Sequence, residues 1–396
     1  MIDGKKKILI VNNNLDTGGI QKSLINLLDE LSKIKHFDID LFLFSKTGEY
    51  IDEVPNNIRI IEANKFIKLL GISQESSKKL GKVYYYIRAI MVILAKILNR
   101  YIPINIILKT QKKLRNYDFA ISFMHDPNKN SIYGGCNSFV LNRVIAKKKL
   151  TFVHCDFLRY GGNNKKNRCL YKKFNGIAVV SDSCKENFLI ANPSLKEKVF
   201  TVTNCHNYDK IKEYSQINTI KYDKNKFNII TVARISNEKG IIRTINSIKK
   251  IIKFNNNVIW HIIGTGNLEE LVKKIIKDEN LNENIILYGN KENPYRYMVN
   301  ADLFLLPSFH EAAPMVLDEA KFLKIPILTT KTTSAIEFIK KYECGWVCEN
   351  SEEGIYYGLK YIIKNKIDYL EIKNKMKNLE CTNKIALSQF LNLLEG

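Results

Sequence analysis

Short, continuous apolar runs recur along this chain, each followed by a loop and then a stretch with helical periodicity. They include Ile8-Leu9-Ile10-Val11, Leu150 to Val153, Asn228 to Ala233, Val258 to Ile263 and Ile325 to Leu328. A strand that is apolar at nearly every position is buried on both faces, as in a parallel sheet. Parallel strands need a long crossover, usually a helix. The alternation therefore points to an α/β fold. It runs from Lys6 to Asn204, lapses in a polar stretch from Tyr208 to Lys226, and restarts at Asn228. Two such runs predict two Rossmann-like domains facing across a cleft. We place a first domain at 1–207, a linker at 208–226 and a second domain at 227–380. An amphipathic C-terminal helix, about 384–396, is expected to pack back on the first domain. A length of 396 residues agrees with more than one core.

The formal charge is +22. It favours an anionic partner: nucleic acid, a membrane surface or a phosphate-bearing substrate. The basic residues are spread over the whole length and lack an interleaved aromatic platform, which weighs against nucleic acid. Eight cysteines form no CxxC framework, and Cys344 and Cys348 are the one close pair. Isolated thiols fit a reducing cytoplasm. The first apolar run is too short for a signal peptide.

Residues 78–115 are rich in aliphatic and tyrosine side chains yet punctuated by basic ones. No apolar run there approaches the ~20 residues that span a bilayer. On a helical projection Ile87, Ile90, Met91, Leu94 and Leu98 share one side, and Arg88, Lys96 and Arg100 another. Two readings compete: an interfacial helix pressed on anionic lipid, and a core-packed helix with a solvated basic edge.

The stretch from Leu305 to Thr330 reads as a buried strand, a polar loop with Glu311, a helix opened by Pro314 and carrying Glu319, and a second strand. Ligands of open parallel sheets bind outside the carboxyl ends of the strands, where Glu311 falls. Arg234 and Lys239 similarly follow the first strand of the second half, at the mouth of a helix expected from Gly240. A guanidinium, an ammonium and a helix N-terminus together suit a diphosphate. Gly18-Gly19, between the first strand and helix, allow either close approach to an anion or a plain tight turn. His125, His206 and His310 read as polar surface residues.

Five segments taken together, GGIQKS (18–23), TFVHCD (151–156), ARISNEKG (233–240), IIGTG (262–266) and ADLFLLPSFHEAAPMVLDEA (301–320), resemble glycosyltransferase family four, retaining enzymes of GT-B fold. The last segment is the most specific. The resemblance implies that Arg234 and Lys239 clamp the donor diphosphate, and that Ala313, Pro314, Met315 and Val316 face the sugar and phosphate. Glu319 would bind both ribose hydroxyls, Glu311 would hold the donor sugar, and Gly18, Gly19 and His154 would approach the donor from the first domain. Gly264, Gly266, Tyr288 and Asn290 would form the nucleobase pocket. Two positions depart from the family pattern: Ala312 stands where glycine is frequent, and Ser334-Ala335-Ile336 replaces a glycine-containing turn.

The expected reaction moves a sugar from a nucleotide diphosphate sugar, a UDP-sugar foremost, to a hydroxyl of a glycan or lipid-linked glycan, with retention. Bacterial surface polysaccharide is the expected product class. The nucleotide sugar is a substrate, so no cofactor is implied. The two cations stand in for a metal, and no metal site is expected. The expected location is cytoplasmic, at the inner face of the membrane if residues 78–115 touch it. Competing readings are a GT-B nucleotide-sugar epimerase, a basic nucleic-acid binder and an inactive sugar-binding partner.

Overall fold

The computed structural model describes residues 5–126, 131–160 and 162–396. The chain divides into two compact units, residues 1–205 with 383–396, and residues 206–382.

Unit 1 has strands β1 (Lys6–Asn12), β2 (Phe37–Leu43), β3 (Arg59–Glu62), β4 (Leu114–Ser122), β5 (Val144–Val153), β6 (Gly176–Val179) and β7 (Val199–Thr201). Among the described residues they form one sheet in the order β3-β2-β1-β4-β5-β6-β7. Every pairing is parallel. Ile8, Ile10, Leu41, Ile121 and Leu150 are fully buried, as strands covered on both faces require. The C-terminal helix Lys384–Glu395 buries Ala386, Phe390, Leu393 and Leu394 in the same core. The Gln389 side chain accepts from the Thr203 backbone N–H at 3.0 Å.

Unit 2 has β8 (Phe227–Val232), β9 (Val258–Ile263), β10 (Ile285–Leu287), β11 (Leu303–Leu306), β12 (Ile327–Thr330) and β13 (Gly345–Cys348). Their order is β10-β9-β8-β11-β12-β13, again all parallel. The order reverses between β8 and β11, which pair through Leu303 with Ile229 and Phe304 with Ile230. Such a reversal opens a crevice at the carboxyl ends of the two strands. Trp260 is fully buried and donates Nε1–H to Thr231 Oγ1 at 2.9 Å. β12 starts two residues later than its apolar run. Pro326 has no N–H to pair, although its carbonyl still accepts from Phe304 N at 2.9 Å.

Two expectations need correction. Residues 208–226, read as a linker, belong to the body of unit 2. They contain the helix Tyr208–Gln216, capped by the Asn207 side chain on Lys210 N at 2.9 Å. Ile220 N bonds Arg296 O, and Tyr222 Oη donates to Tyr297 O. A few apolar anchors in a polar sequence hold this segment, so periodicity did not reveal it.

Residues 78–115 contain two helices, Lys82–Ile97 and Tyr101–Leu108, and of the three basic residues expected on a solvated edge only Lys96 is exposed. Arg88 is buried, donating to Leu69 O at 3.2 Å and Gln74 Oε1 at 2.9 Å. Arg100 is fully buried against Asp126 at 2.8 Å, while Ile90 and Leu98 are exposed. Arginine can bury its stem when the fork finds acceptors. These acceptors lie far off in sequence.

Candidate active site

The loops that leave β8 and β11 meet at the reversal point of unit 2. Gly240 ends the short 3-10 turn Asn237–Lys239 and caps the helix Ile241–Phe254, at φ 68°. A Cβ there would lie 2.2 Å from Pro307 O, so only glycine lets the two loops come this close. Phe309 N closes the junction on Glu238 O at 2.8 Å. Lys239 is thereby placed beside Glu311, with Nζ 2.6 Å from Oε1. Ser308 Oγ donates to the same oxygen at 2.7 Å.

The pair is sheltered without being sealed, with the two side chains 20% and 10% exposed. An ammonium has three N–H donors, and Glu311 engages one. Arg234 is open to solvent and lies 3.4 Å from Glu238 Oε1. Burial works against charge on Glu238. Backbone and Ser236 hydrogen bonds, with Arg234 and Lys239, nevertheless hold its carboxyl below the usual range. Both expected cations thus stand beside a carboxylate partner.

Pro314 caps the helix Met315–Phe322, whose first turn holds Met315 and Val316, with Ala313 just before it. Glu319 lies on the buried side of this helix, 1% exposed. Gly264 has φ 137°, and a Cβ there would meet Ala233 O at 2.0 Å; Gly266 crowds Ile235 O in the same manner. This loop is stitched to the next by Gly264 N on Gly289 O at 2.9 Å. Tyr288 packs edge-on against Tyr297, with its hydroxyl 3.2 Å from His261 Nδ1. Asn290 is exposed. Thr332 and Ser334 follow β12. Both are buried, and neither hydroxyl has a hydrogen-bond partner among the described residues. Ser334 therefore brings an unused hydroxyl to the position where a glycine-containing turn was expected.

Reading the sequence missed Arg243. Its guanidinium donates to Pro307 O at 2.7 Å and Asn350 Oδ1 at 2.6 Å, and stacks on the Phe309 ring at 3.7 Å. Burial lowers its pKa. It holds the strand end from which Ser308 and Glu311 project. The available signal was a second basic residue four positions after Lys239, one helical turn on.

In unit 1, Gly18 and Gly19 join β1 to the helix Gly19–Ser32. A Cβ at Gly19 meets nothing within 4 Å, and one at Gly18 meets the Gln21 side chain. His154 follows β5 with its ring stacked on Phe152 and its Nε2 buried without a partner among the described residues. Burial drives its pKa down to about 3, aided by neighbouring His125 and opposed by a bond to the Phe123 backbone.

His125 and His206 are buried, against the expectation of surface residues. His125 packs edge-on to Tyr160 and is pushed to about 4 by burial. His206 lies 3.5 Å from Asp318. His310 is exposed. Among the described residues no cluster of three or more His, Cys, Asp or Glu has the arrangement of a metal site.

Residues 210–379 match the family model of glycosyl transferases group 1. Among curated proteins the chain is 29% identical to an uncharacterized glycosyltransferase of Methanocaldococcus jannaschii, over 40% of this chain and 41% of that one. It is 28% identical to the capsular polysaccharide biosynthesis glycosyltransferase CapM of Staphylococcus aureus, over 44% and 48%. The chain thus spans about two fifths to one half of the length of these relatives. Among solved structures, TarM superposes with a TM-score of 0.68 at 15% identity over 99% of each chain. Anabaena HepE, solved with UDP and glucose, superposes with a TM-score of 0.66 at 15% identity over 98% of each. Residues 210–379 thus match the glycosyl transferases group 1 family, and the chain has the GT-B fold of these solved glycosyltransferases.

Proposed function

We propose that this chain is a retaining glycosyltransferase that moves a sugar from a UDP-sugar to a hydroxyl of a glycan or lipid-linked glycan. The Lys239–Glu311 contact at the reversal point of a group 1 domain carries the reading. CapM is named for capsular polysaccharide biosynthesis, and another relative, from Campylobacter jejuni, for transfer onto a diphospho-undecaprenol-linked glycan; these names support a surface-polysaccharide acceptor. HepE, solved with UDP and glucose, supports the donor class. A lipid-linked acceptor would put the reaction in the cytoplasm at the inner membrane face.

In this reading Lys239 and Arg234 hold the donor diphosphate and take up charge as the bond from sugar C1 to the β-phosphate oxygen breaks. They supply the charge that a divalent ion provides elsewhere. Thr332 and Ser334 offer further hydroxyl donors from the next loop. Glu319 receives the ribose hydroxyls, and the loops at Gly264, Gly266 and Tyr288-Gly289-Asn290 receive the base. Two donors already occupy Glu311 Oε1, which blunts that oxygen as a nucleophile and suits a carboxylate that positions the sugar. The acceptor oxygen then bonds to C1 on the face the leaving group departs from, and its proton passes to the leaving diphosphate. His154 serves as a neutral contact to the donor.

A panel of nucleotide sugars with a glycan acceptor, followed by NMR of the product, tests this. UDP release with an α-anomer from an α-donor is expected. An inverted product overturns retention, and epimerised sugar without acceptor favours the epimerase. No turnover of any donor overturns transfer.

A further inference from the structure

The helix Lys82–Ile97 turns its large apolar side chains outward. Val83, Tyr86, Ile90, Ile93 and Ile97 are each between 55% and 73% exposed. Spacings of three and four residues put all five in one stripe along the helix. The opposite side carries the buried Arg88, Met91 and Ala95. Water therefore meets the kind of face that a helix of a globular domain ordinarily buries.

The surrounding charge has one sign. From Ser76 to Tyr117 the sequence contains ten Lys and Arg and no Asp or Glu. Of the ten, Arg88 and Arg100 are buried and the rest exposed. Lys82 and Lys96 run along one margin of the stripe, as the 100° step of a helix requires.

A second copy of the chain and a lipid surface are the two occupants that fit such a stripe. A helical seam between copies is steadied by opposite charges at its flanks. Here two copies would set lysine against lysine. Anionic headgroups supply the missing negative charge, and the acyl boundary accepts the isoleucines. We propose that the helix Lys82–Ile97 docks this protein on anionic lipid bilayers, lying in the plane of the interface with the Val83–Ile97 stripe inserted. The inference rests on this exposed face rather than on the donor site, so either can fail while the other stands.

The test is co-sedimentation of the full chain with vesicles of phosphatidylglycerol and phosphatidylcholine, against phosphatidylcholine alone, at low and high salt. Binding to the anionic vesicles is expected, at least tenfold weaker to the neutral ones and weaker in high salt. Ile90→Ser with Ile93→Ser should reduce binding at least tenfold while leaving the melting temperature and nucleotide-sugar binding unchanged. A wild-type chain that stays in the supernatant with anionic vesicles at low salt overturns the proposal. So does undiminished binding by the double variant. A dimer in sedimentation velocity that the double variant abolishes assigns the stripe to a second copy and also overturns it.

Discussion

Lys239 Nζ lies 2.6 Å from Glu311 Oε1, although 72 residues separate them in the chain. Strand order makes the contact, because β8 and β11 are neighbours and each residue follows one of them. Neither side chain is deeply buried, so truncation leaves no sealed charge behind. Glu311→Ala and Lys239→Ala are each expected to lower kcat by about 10²–10³, the range for removing one group that stabilises developing charge. Melting temperatures should stay close to the parent's. Full activity in Glu311→Ala would sink the assignment.

Arg243 acts one step back from the chemistry. Its contacts with Pro307, Asn350 and Phe309 fix the strand end that presents Ser308 and Glu311. Removing it leaves the part-buried Pro307 and Asn350 carbonyls without their donor, a loss of about 1–3 kcal/mol by denaturant unfolding. Arg243→Lys keeps the charge but lacks the planar fork. It is expected to regain part of the stability and little of kcat, with KM for the donor changed less than kcat. Equal rescue of both would reduce Arg243 to a stability element.

The strands were legible because parallel strands leave continuous apolar runs, and the reading of Val258 to Ile263 coincides with β9. The helix Glu352–Lys364 carries the same kind of local signal, a regular period behind the capping Ser351. Arg234, Lys239 and Glu311 were legible as candidates. That the last two touch was not, because strand order is a tertiary fact. The burial of Arg88 and Arg100 was also hidden. Helical periodicity puts charge outside, and only distant partners such as Leu69 O and Asp126 reverse that.

Arg100 and Asp126 form an ion pair whose side chains are 0% and 2% exposed. Asn137 Nδ2 donates to the second Asp126 oxygen at 2.9 Å, and Arg100 Nη2 to Tyr133 O at 3.0 Å. Removing one partner strands a charge where water cannot reach it. Asp126→Ala is expected to destabilise unit 1 by about 3–5 kcal/mol. Amide hydrogen exchange should show β4 and β5 losing protection while β8 and β11 keep theirs. A change under 1 kcal/mol would mean that water enters the site freely.

His261 gives unit 2 a pH dependence of known sign. The ring is buried between Asn228 Oδ1 at 3.1 Å and Tyr288 Oη at 3.2 Å, and stacks on Tyr222. Burial lowers its pKa from 6.5 to about 4 in the folded chain. Because the folded value lies below the unfolded one, the unfolded state binds the extra proton first. The contribution is therefore complete above pH 6.5 and is lost as the pH falls towards 4, at up to ~1.4 kcal/mol per pH unit. Both tryptophans, Trp260 and Trp346, lie in unit 2, so their fluorescence reports this unit's unfolding. Urea midpoints followed by tryptophan emission should fall between pH 6.5 and 4.5. His261→Gln removes the titrating group and should make that slope shallower. An unchanged slope in His261→Gln would assign the acid sensitivity of unit 2 to another group.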